Sequence, residues 1–440
     1  MPLTPRIANY HRQRGQILVF FAIALVVLIA FVGMGVDFGY AYLTRAKMAK
    51  ALDAAALAGI RNYSSGNVNA IVTDTFSANY GPNAPVPTVT IGLNGQGFRS
   101  VDVTASSTIN TYFIRVLPGF QTLTVGTSSE AVRAPLYMTL ILDRSGSMAD
   151  FQPGGCTGEQ ALKGTNGCLG VVANFLNNFD DSYDSVGLVS FDGNATQDLS
   201  MTRPFKASIN AKVAAMNFAG YTFSEGGLIM AGSQYGVALP SPLLAISPAP
   251  PAAPVIPAQA AKVIVFFTDG VANTFQDTNL AVTCTSGGRR GSTTAYNGLY
   301  NLTGPENSSD LLVLGTDGAQ LSADRATCTG TFPSIHGGTK TADNTNARQE
   351  AIDRALAVAD AIRSSNVTIY SIGEGAELSG TDAVAIAGQQ LIQSVANSTV
   401  SGAPIISSEP VGLTVIAPTA AQLNSAFQTI ANTILYRLSR

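Results

Sequence analysis

Residues 136–147, Leu136-Tyr137-Met138-Thr139-Leu140-Ile141-Leu142-Asp143-Arg144-Ser145-Gly146-Ser147, decide the fold. An apolar run this short, broken only by Thr139, predicts a strand buried on both faces, since a strand with one wet face would alternate. It ends in Asp-x-Ser-x-Ser. The pattern recurs at 185–191 (SVGLVSF), 262–268 (KVIVFFT) and 366–372 (NVTIYSI). Helical stretches lie between these runs, most clearly 346–365 (NARQEAIDRALAVADAIRSS), and a last helix is expected over 419–438. Strands alternating with helices predict an α/β domain, a Rossmann-like doubly wound parallel sheet covered on both faces. Ligands of such sheets bind beyond the carboxyl ends of the strands. Asp143, Ser145 and Ser147 fall at such an end, and so does Asp269 in Phe267-Thr268-Asp269-Gly270.

The chain has 440 residues, too many for one ordinary core, so several domains are expected. Charged residues make up 12% and the net charge is -3, which leaves no basic footprint for nucleic acid. With 46% apolar residues the chain can fill cores and is not a charge-driven disordered protein.

Four cysteines, Cys156, Cys168, Cys284 and Cys328, allow two disulfides in three connectivities. Cys156 with Cys168 and Cys284 with Cys328 is the natural pairing, because each pair lies in one loop-like stretch. A zinc site is the alternative, but there is no Cys-x-x-Cys, and His336 is the only histidine downstream. Disulfides imply an oxidising compartment.

Residues 17–36 (ILVFFAIALVVLIAFVGMGV) run twenty residues without a charge. As a helix at about 1.5 Å per residue they match a bilayer core of about 30 Å. A cleaved signal peptide would have an apolar region of roughly 7–15 residues and a small-residue cut site. Asp37-Phe38-Gly39-Tyr40 follows instead, which favours an uncleaved anchor over 16–36 behind a cytoplasmic tail, 1–15. Arg6, Arg12 and Arg14 precede the span and Arg45, Lys47 and Lys50 follow it, so positive charge does not decide orientation. The short tail and the disulfides place the C-terminal part outside, facing the periplasm or cell exterior. Residues 37–61 are rich in Ala and Leu and should continue as a helical stalk. Its small residues, among them Ala46, Ala49, Ala54, Ala55, Ala56 and Ala58, suit either a packing face within the chain or a partner helix. Over 62–135, PVPTVTI, SVDVTA and QTLTVGTSSEA alternate between turn signals, predicting a small β-rich module. Gly92-Leu93-Asn94-Gly95-Gln96-Gly97 reads as a hairpin turn, not a dinucleotide loop.

The domain over 136–440 resembles von Willebrand factor A domains with a metal-ion-dependent adhesion site. Asp143, Ser145 and Ser147 match the family's first loop. Thr222, in Gly220-Tyr221-Thr222-Phe223-Ser224-Glu225-Gly226-Gly227-Leu228, matches its second, although Tyr221 stands where a second Gly is common. Asp269 matches the third. The resemblance implies a divalent metal held by hydroxyls and, through waters, by the two aspartates. Mg2+ is the first choice, with Mn2+ or Ca2+ as alternatives. It also implies a protein partner that offers the metal an acidic side chain. Hard cations prefer oxygen, and hydroxyls bind without quenching the charge that attracts the partner. Each piece alone has a plainer explanation: Ser and Asp cap helices, and Asp-Gly makes turns. Insertions at 154–170, 240–259 and 271–345 depart from the family pattern and are either recognition loops or spacers.

The N-terminal stretch, with Arg14-Gly15-Gln16, the apolar span, Gly35-Val36-Asp37-Phe38-Gly39 and 52–58 (LDAAALA), resembles TadG-like proteins of tight-adherence (Tad, or Flp) pilus assembly. That implies a bacterial inner-membrane protein with pilus-assembly partners. A type IV prepilin would look similar but would carry Glu where Phe20 stands, counting from Gln16. The alternative is a structural pilin-like or scaffold subunit whose A-type domain binds no metal. No enzyme or small-molecule substrate is expected: Gly-x-Ser-x-Gly, a phosphate loop and His-Glu-x-x-His are all missing, and His336 has no visible catalytic partners.

Overall fold

The computed structural model describes residues 14–116, 118–150, 155–238, 240, 251–277, 281–286, 298–301, 310–314, 326–342, 344–399 and 405–438. They fall into two compact units, divided between Arg133 and Ala134.

The first unit is built on α1 (Arg14–Arg61), 48 residues without a break. Next come α2 (Val68–Tyr80), β1 (Thr88–Leu93), β2 (Arg99–Asn110) and β3 (Thr122–Arg133). The three strands make one antiparallel sheet in the order β1-β2-β3. Among the described residues, one helical stretch, Leu18–Arg61, is long and apolar enough to cross a membrane, its most apolar 18-residue window having a mean hydropathy of 2.9. Its apolar side chains from Leu18 to Val36 are largely exposed, whereas Met48, Leu52, Ala55, Ala56 and Ile60 are buried against Val72, Phe76, Val101 and Val103. Residues 37–61, expected as a stalk, therefore form one wall of the module, and Ala55 and Ala56 pack within the chain. The region expected to be a small β-rich module also contains α2. Its Asn, Ser and Thr are poor helix formers, but Val68, Val72, Phe76 and Tyr80 recur every fourth residue and are buried on α1.

The second unit runs β4 (Leu136–Asp143), α3 (Gly158–Lys163), α4 (Val171–Leu176), β5 (Ser185–Phe191), β6 (Ala195–Thr202), α5 (Lys206–Ala215), α6 (Ser224–Ser233) and β7 (Ala261–Thr268). Six short strands follow: β8 (Thr274–Gln276), β9 (Ala281–Ser286), β10 (Gly298–Asn301), β11 (Asp310–Leu314), β12 (Ala326–Pro333) and β13 (Thr339–Thr341). Last come α7 (Asn344–Ser364), β14 (Thr368–Glu374), α8 (Ala376–Ser379), α9 (Ala383–Val395), β15 (Thr414–Ala417) and α10 (Ala420–Leu438).

The main sheet has the order β15-β14-β7-β4-β5-β6. All neighbours are parallel except β6, which runs antiparallel to β5. Every residue of β4 is buried, because helices cover both faces. On one face Ile141, Val189 and Phe266 pack with Leu228 of α6, Ile362 of α7 and Leu391 of α9. On the other, Leu140, Leu142 and Phe267 pack with Phe175 of α4 and with Phe427 and Ile430 of α10. The 271–345 insertion builds a second antiparallel sheet, β13-β12-β11-β10-β8, with β9 also on β12. Cys156 and Cys168 form a disulfide with Cα atoms 6.2 Å apart. The backbone register sets Cys284 opposite Cys328, and the side chains of that second expected pair lie outside the described set. Residues 241–250, inside the expected Pro-rich excursion, also lie outside the described residues.

Candidate functional site

The winding of the sheet reverses at β4: β5 and β6 extend it to one side, and β7, β14 and β15 to the other. Loops leaving β4 and β7 therefore part, and a crevice opens between their carboxyl ends. Asp143 is the last residue of β4, and Asp269 follows the last residue of β7.

Local hydrogen bonds fix the first loop. Asp143 Oδ1 accepts the Ser145 N–H at 2.8 Å, and Asp143 Oδ2 accepts the Thr268 hydroxyl at 2.6 Å. Ser145 stands at the N-cap of a short 3-10 turn, Gly146–Ala149, but its side chain makes no capping bond. Its Oγ lies instead 3.1 Å from Ser147 Oγ and 3.5 Å from Asp269 Oδ1. Ser147 Oγ donates to the same Asp269 oxygen at 2.9 Å. Four of the five expected site residues thus meet in one hydrogen-bonded cluster, and the capping explanation does not account for Ser145.

Thr222 joins by its backbone. Its N–H donates to Asn273 Oδ1 at 2.9 Å, and its carbonyl accepts the Asn273 N–H at 3.2 Å. Just before it, Ala219 N–H donates to Arg144 O and Gly146 N–H to Gly220 O, which stitches the second loop to the first. Gly220 has φ +90, and a Cβ there would meet Asp192 Cβ at 3.3 Å, so this approach needs glycine. None of the bonds in the Ser–Asp cluster reaches the Thr222 hydroxyl.

Charge accumulates at this rim. Asp143 is fully buried, and burial pushes its carboxyl up to about 6 despite the bonds from Ser145 and Thr268. Glu374, the last residue of β14, is 1% exposed and is pushed up to about 7, first by burial and then by the charge of Asp143. Among the described residues neither Glu374 oxygen has a hydrogen-bond partner. Burial also raises Asp192, which pairs with Arg144 at 2.5 Å. Glu374 was absent from the sequence-based site. A signal for it exists, since a carboxylate directly ends the apolar run NVTIYSIG at the rim where Asp143 ends its own.

Among the described residues no group of three or more His, Cys, Asp or Glu is placed to hold a metal, so a cation here would have to use hydroxyls. The cluster offers oxygen atoms only: two serine hydroxyls and two carboxylates. That donor set fits a hard divalent cation and does not fit zinc or copper.

Residues 15–62 match the family described as "Putative Flp pilus-assembly TadE/G-like". No curated protein matches the chain. Among solved structures, the vWF domain of the type V pili tip protein Mfa5 from Porphyromonas gingivalis is 16% identical, with 70% of this chain and 98% of that one covered at a TM-score of 0.41. The PilB minor pilin from Streptococcus sanguinis is 16% identical over 80% of this chain and 78% of that one, with a TM-score of 0.42. BatB, a conserved hypothetical protein from Bacteroides thetaiotaomicron, is 13% identical over 69% and 98%, at 0.33. What the site can do follows from its own side chains. Residues 15–62 are thus similar to TadE/G-like proteins, and the C-terminal unit carries a Rossmann-like doubly wound sheet.

Proposed function

We propose that the C-terminal unit is a metal-dependent adhesion module which grips an acidic side chain of a protein partner in a tight-adherence pilus system, with α1 anchoring it as a single span in a bacterial inner membrane. Convergence of the Ser145 and Ser147 hydroxyls on Asp269, beside Asp143, carries this reading. Those oxygens, with Thr222 from the second loop, would hold the cation. Mg2+ suits them best, and Mn2+ and Ca2+ share the same oxygen chemistry. A cation would offset the burial cost that raises Asp143 and Glu374. Hydroxyl ligands leave it electron-poor, so a partner's carboxylate is the natural guest. The Cys156–Cys168 disulfide supports placement outside the cytoplasm.

Calorimetry on the full chain tests the metal. The wild type should take up Mg2+ and Ser145→Ala/Ser147→Ala should not, with circular dichroism unchanged. At about 100 times its Kd the metal should stabilise the wild type by about 2.7 kcal/mol and the variant not at all. Absence of heat and of any shift in the wild type removes the metal reading. Capture of pilus-assembly components that survives EDTA unchanged would favour a structural pilin-like subunit instead.

A further inference from the structure

The apolar run of α1 leaves most of its side chains exposed from Leu18 to Val36, a stretch of 19 residues or about 28 Å of helix. Asp37 follows at once and is 2% exposed. Its carboxylate is covered by the loop 111–121 that joins β2 to β3. Oδ1 accepts the N–H of Tyr112 at 2.7 Å, and Oδ2 those of Phe113 at 2.9 Å and Ile114 at 2.7 Å. One turn earlier, Phe113 lies so close over Gly33 that a Cβ there would come within 2.5 Å of it. Tyr112 meets the Tyr40 ring edge-on at 6.0 Å. The base of the loop is closed, with Thr111 N–H donating to Gln121 O at 3.1 Å and the Thr111 hydroxyl to Phe120 O at 2.6 Å. These contacts hold the loop at one height on the helix, the level at which the apolar run ends.

The loop turns Ile114 inward, at 7% exposure, and leaves its other described large apolar side chains outside. Tyr112 is 64% exposed, Phe113 47%, Val116 84% and Phe120 50%. Arg115, also exposed, is the only charged residue of 111–121. Aromatic rings with a basic residue, at the depth where a spanning helix leaves the hydrocarbon, match the headgroup layer of a bilayer.

We propose that Tyr112, Phe113, Val116 and Phe120 of this loop form a lipid-contact surface, resting in the headgroup region of the bilayer that α1 crosses. The proposal depends on the membrane anchor read above, because the exposed face of the loop continues the exposed face of that helix. A single helix leaves the β1-β2-β3 sheet free to tilt. A second contact, fastened to α1 through Asp37, fixes its angle to the membrane.

The chain has no tryptophan, so one introduced residue reports alone. The full-length variants Leu28→Trp, Val116→Trp and Leu93→Trp are placed in bilayers of phosphatidylethanolamine and phosphatidylglycerol, with plain or brominated acyl chains. Leu93 pairs with Arg99 at the far end of β2, about 36 Å along the strand from the loop. Val116→Trp should emit to the blue of Leu93→Trp and lose the larger part of its emission in brominated lipid, while Leu93→Trp keeps its own. Quenching of Leu28→Trp with water-exposed, unquenched emission from Val116→Trp overturns the proposal and leaves the anchor standing. Failure to quench Leu28→Trp overturns both. Phe120→Trp, a milder aromatic exchange in the same loop, must agree with Val116→Trp; if it stays unquenched beside a quenched helix, the proposal falls.

Discussion

Asp37 in the N-terminal unit and Glu374 in the C-terminal unit are both carboxylates that end an apolar run, and they are buried to almost the same degree, at 2% and 1% exposure. Asp37 receives three backbone N–H groups from the loop 111–121. Glu374 receives no hydrogen bond from the described residues, and its neighbour Asp143 adds a second negative charge. A buried anion is tolerable only when it is paired or hydrogen-bonded. The first carboxylate is therefore a complete fastener. The second belongs to a rim that gathers acceptors faster than donors, and a proton or a cation has to make up the difference. Burial alone does not separate structural from functional carboxylates; their hydrogen-bond partners do.

The largest expected effect lies on the complete side. Asp37→Ala orphans the amides of Tyr112, Phe113 and Ile114 together, and each unsatisfied buried donor costs about 1–3 kcal/mol. Hydrogen exchange at those three amides should accelerate by roughly 100-fold or more, the equivalent of about 3 kcal/mol. Protection on β4 should stay as it was. Unchanged exchange at the three amides would mean that the loop does not depend on Asp37, and the contrast with Glu374 would vanish.

How much of this could be read beforehand follows the kind of physics involved. The apolar runs ending at Leu142, Thr268 and Ile372 announced the buried strands, because a strand covered on both faces has no room for polar side chains. Asp143, Ser145, Ser147 and Asp269 were legible because each sits a fixed step beyond such a run. α2 was not, since its Asn and Thr obscure a stripe that only the packing on α1 makes decisive. Asp37 read simply as the residue after the span; its three donors come from 75 to 77 positions away and leave no local trace. Glu374 was missed although its place at the end of an apolar run was visible, because what singles it out, the lack of a donor among the described residues, is recorded by no spacing. The second sheet, built from the insertion after Asp269, depends on pairing between distant short strands and has no periodicity of its own to show.

The next effect in size comes from the incomplete side, with the opposite sign. The folded pKa of Glu374 is raised from 4.5 to about 7, so the folded state holds a proton that the unfolded chain has released. The penalty is absent below about 4.5, grows as pH rises to about 7, and stays at its full value above that. Metal-free Glu374→Gln should therefore be the more stable protein at neutral pH, by up to about 3 kcal/mol, with the difference fading towards pH 4.5. Hydrogen exchange on β14 measured across that range reads it directly. Added Mg2+ should shrink the gap by supplying the wild type with the missing positive charge. If the wild type and variant show parallel pH profiles, Glu374 has a partner after all.

The smallest effect tests one of the donors that the rim does possess. Thr268 gives its hydroxyl to Asp143 Oδ2 at 2.6 Å and accepts the Gly270 N–H at 3.3 Å. Valine keeps the shape and removes both bonds. Loss of a hydrogen bond to an ionised group costs about 1.5–3 kcal/mol, so Thr268→Val should lose roughly 2 kcal/mol at neutral pH. The hydroxyl favours the ionised form of Asp143, so its removal should lift that carboxyl further above 6. Acid should then close the gap, because a protonated Asp143 needs the donor less. Protons should also compete more effectively for the site, and Mg2+ affinity should weaken more steeply below neutral pH than in the wild type. A Thr268→Val protein with unaltered stability and unaltered pH dependence of Mg2+ binding would show that Asp143 is already neutral in the fold. The rim would then hold one fewer anion than its geometry suggests, and it would have correspondingly less need of a cation.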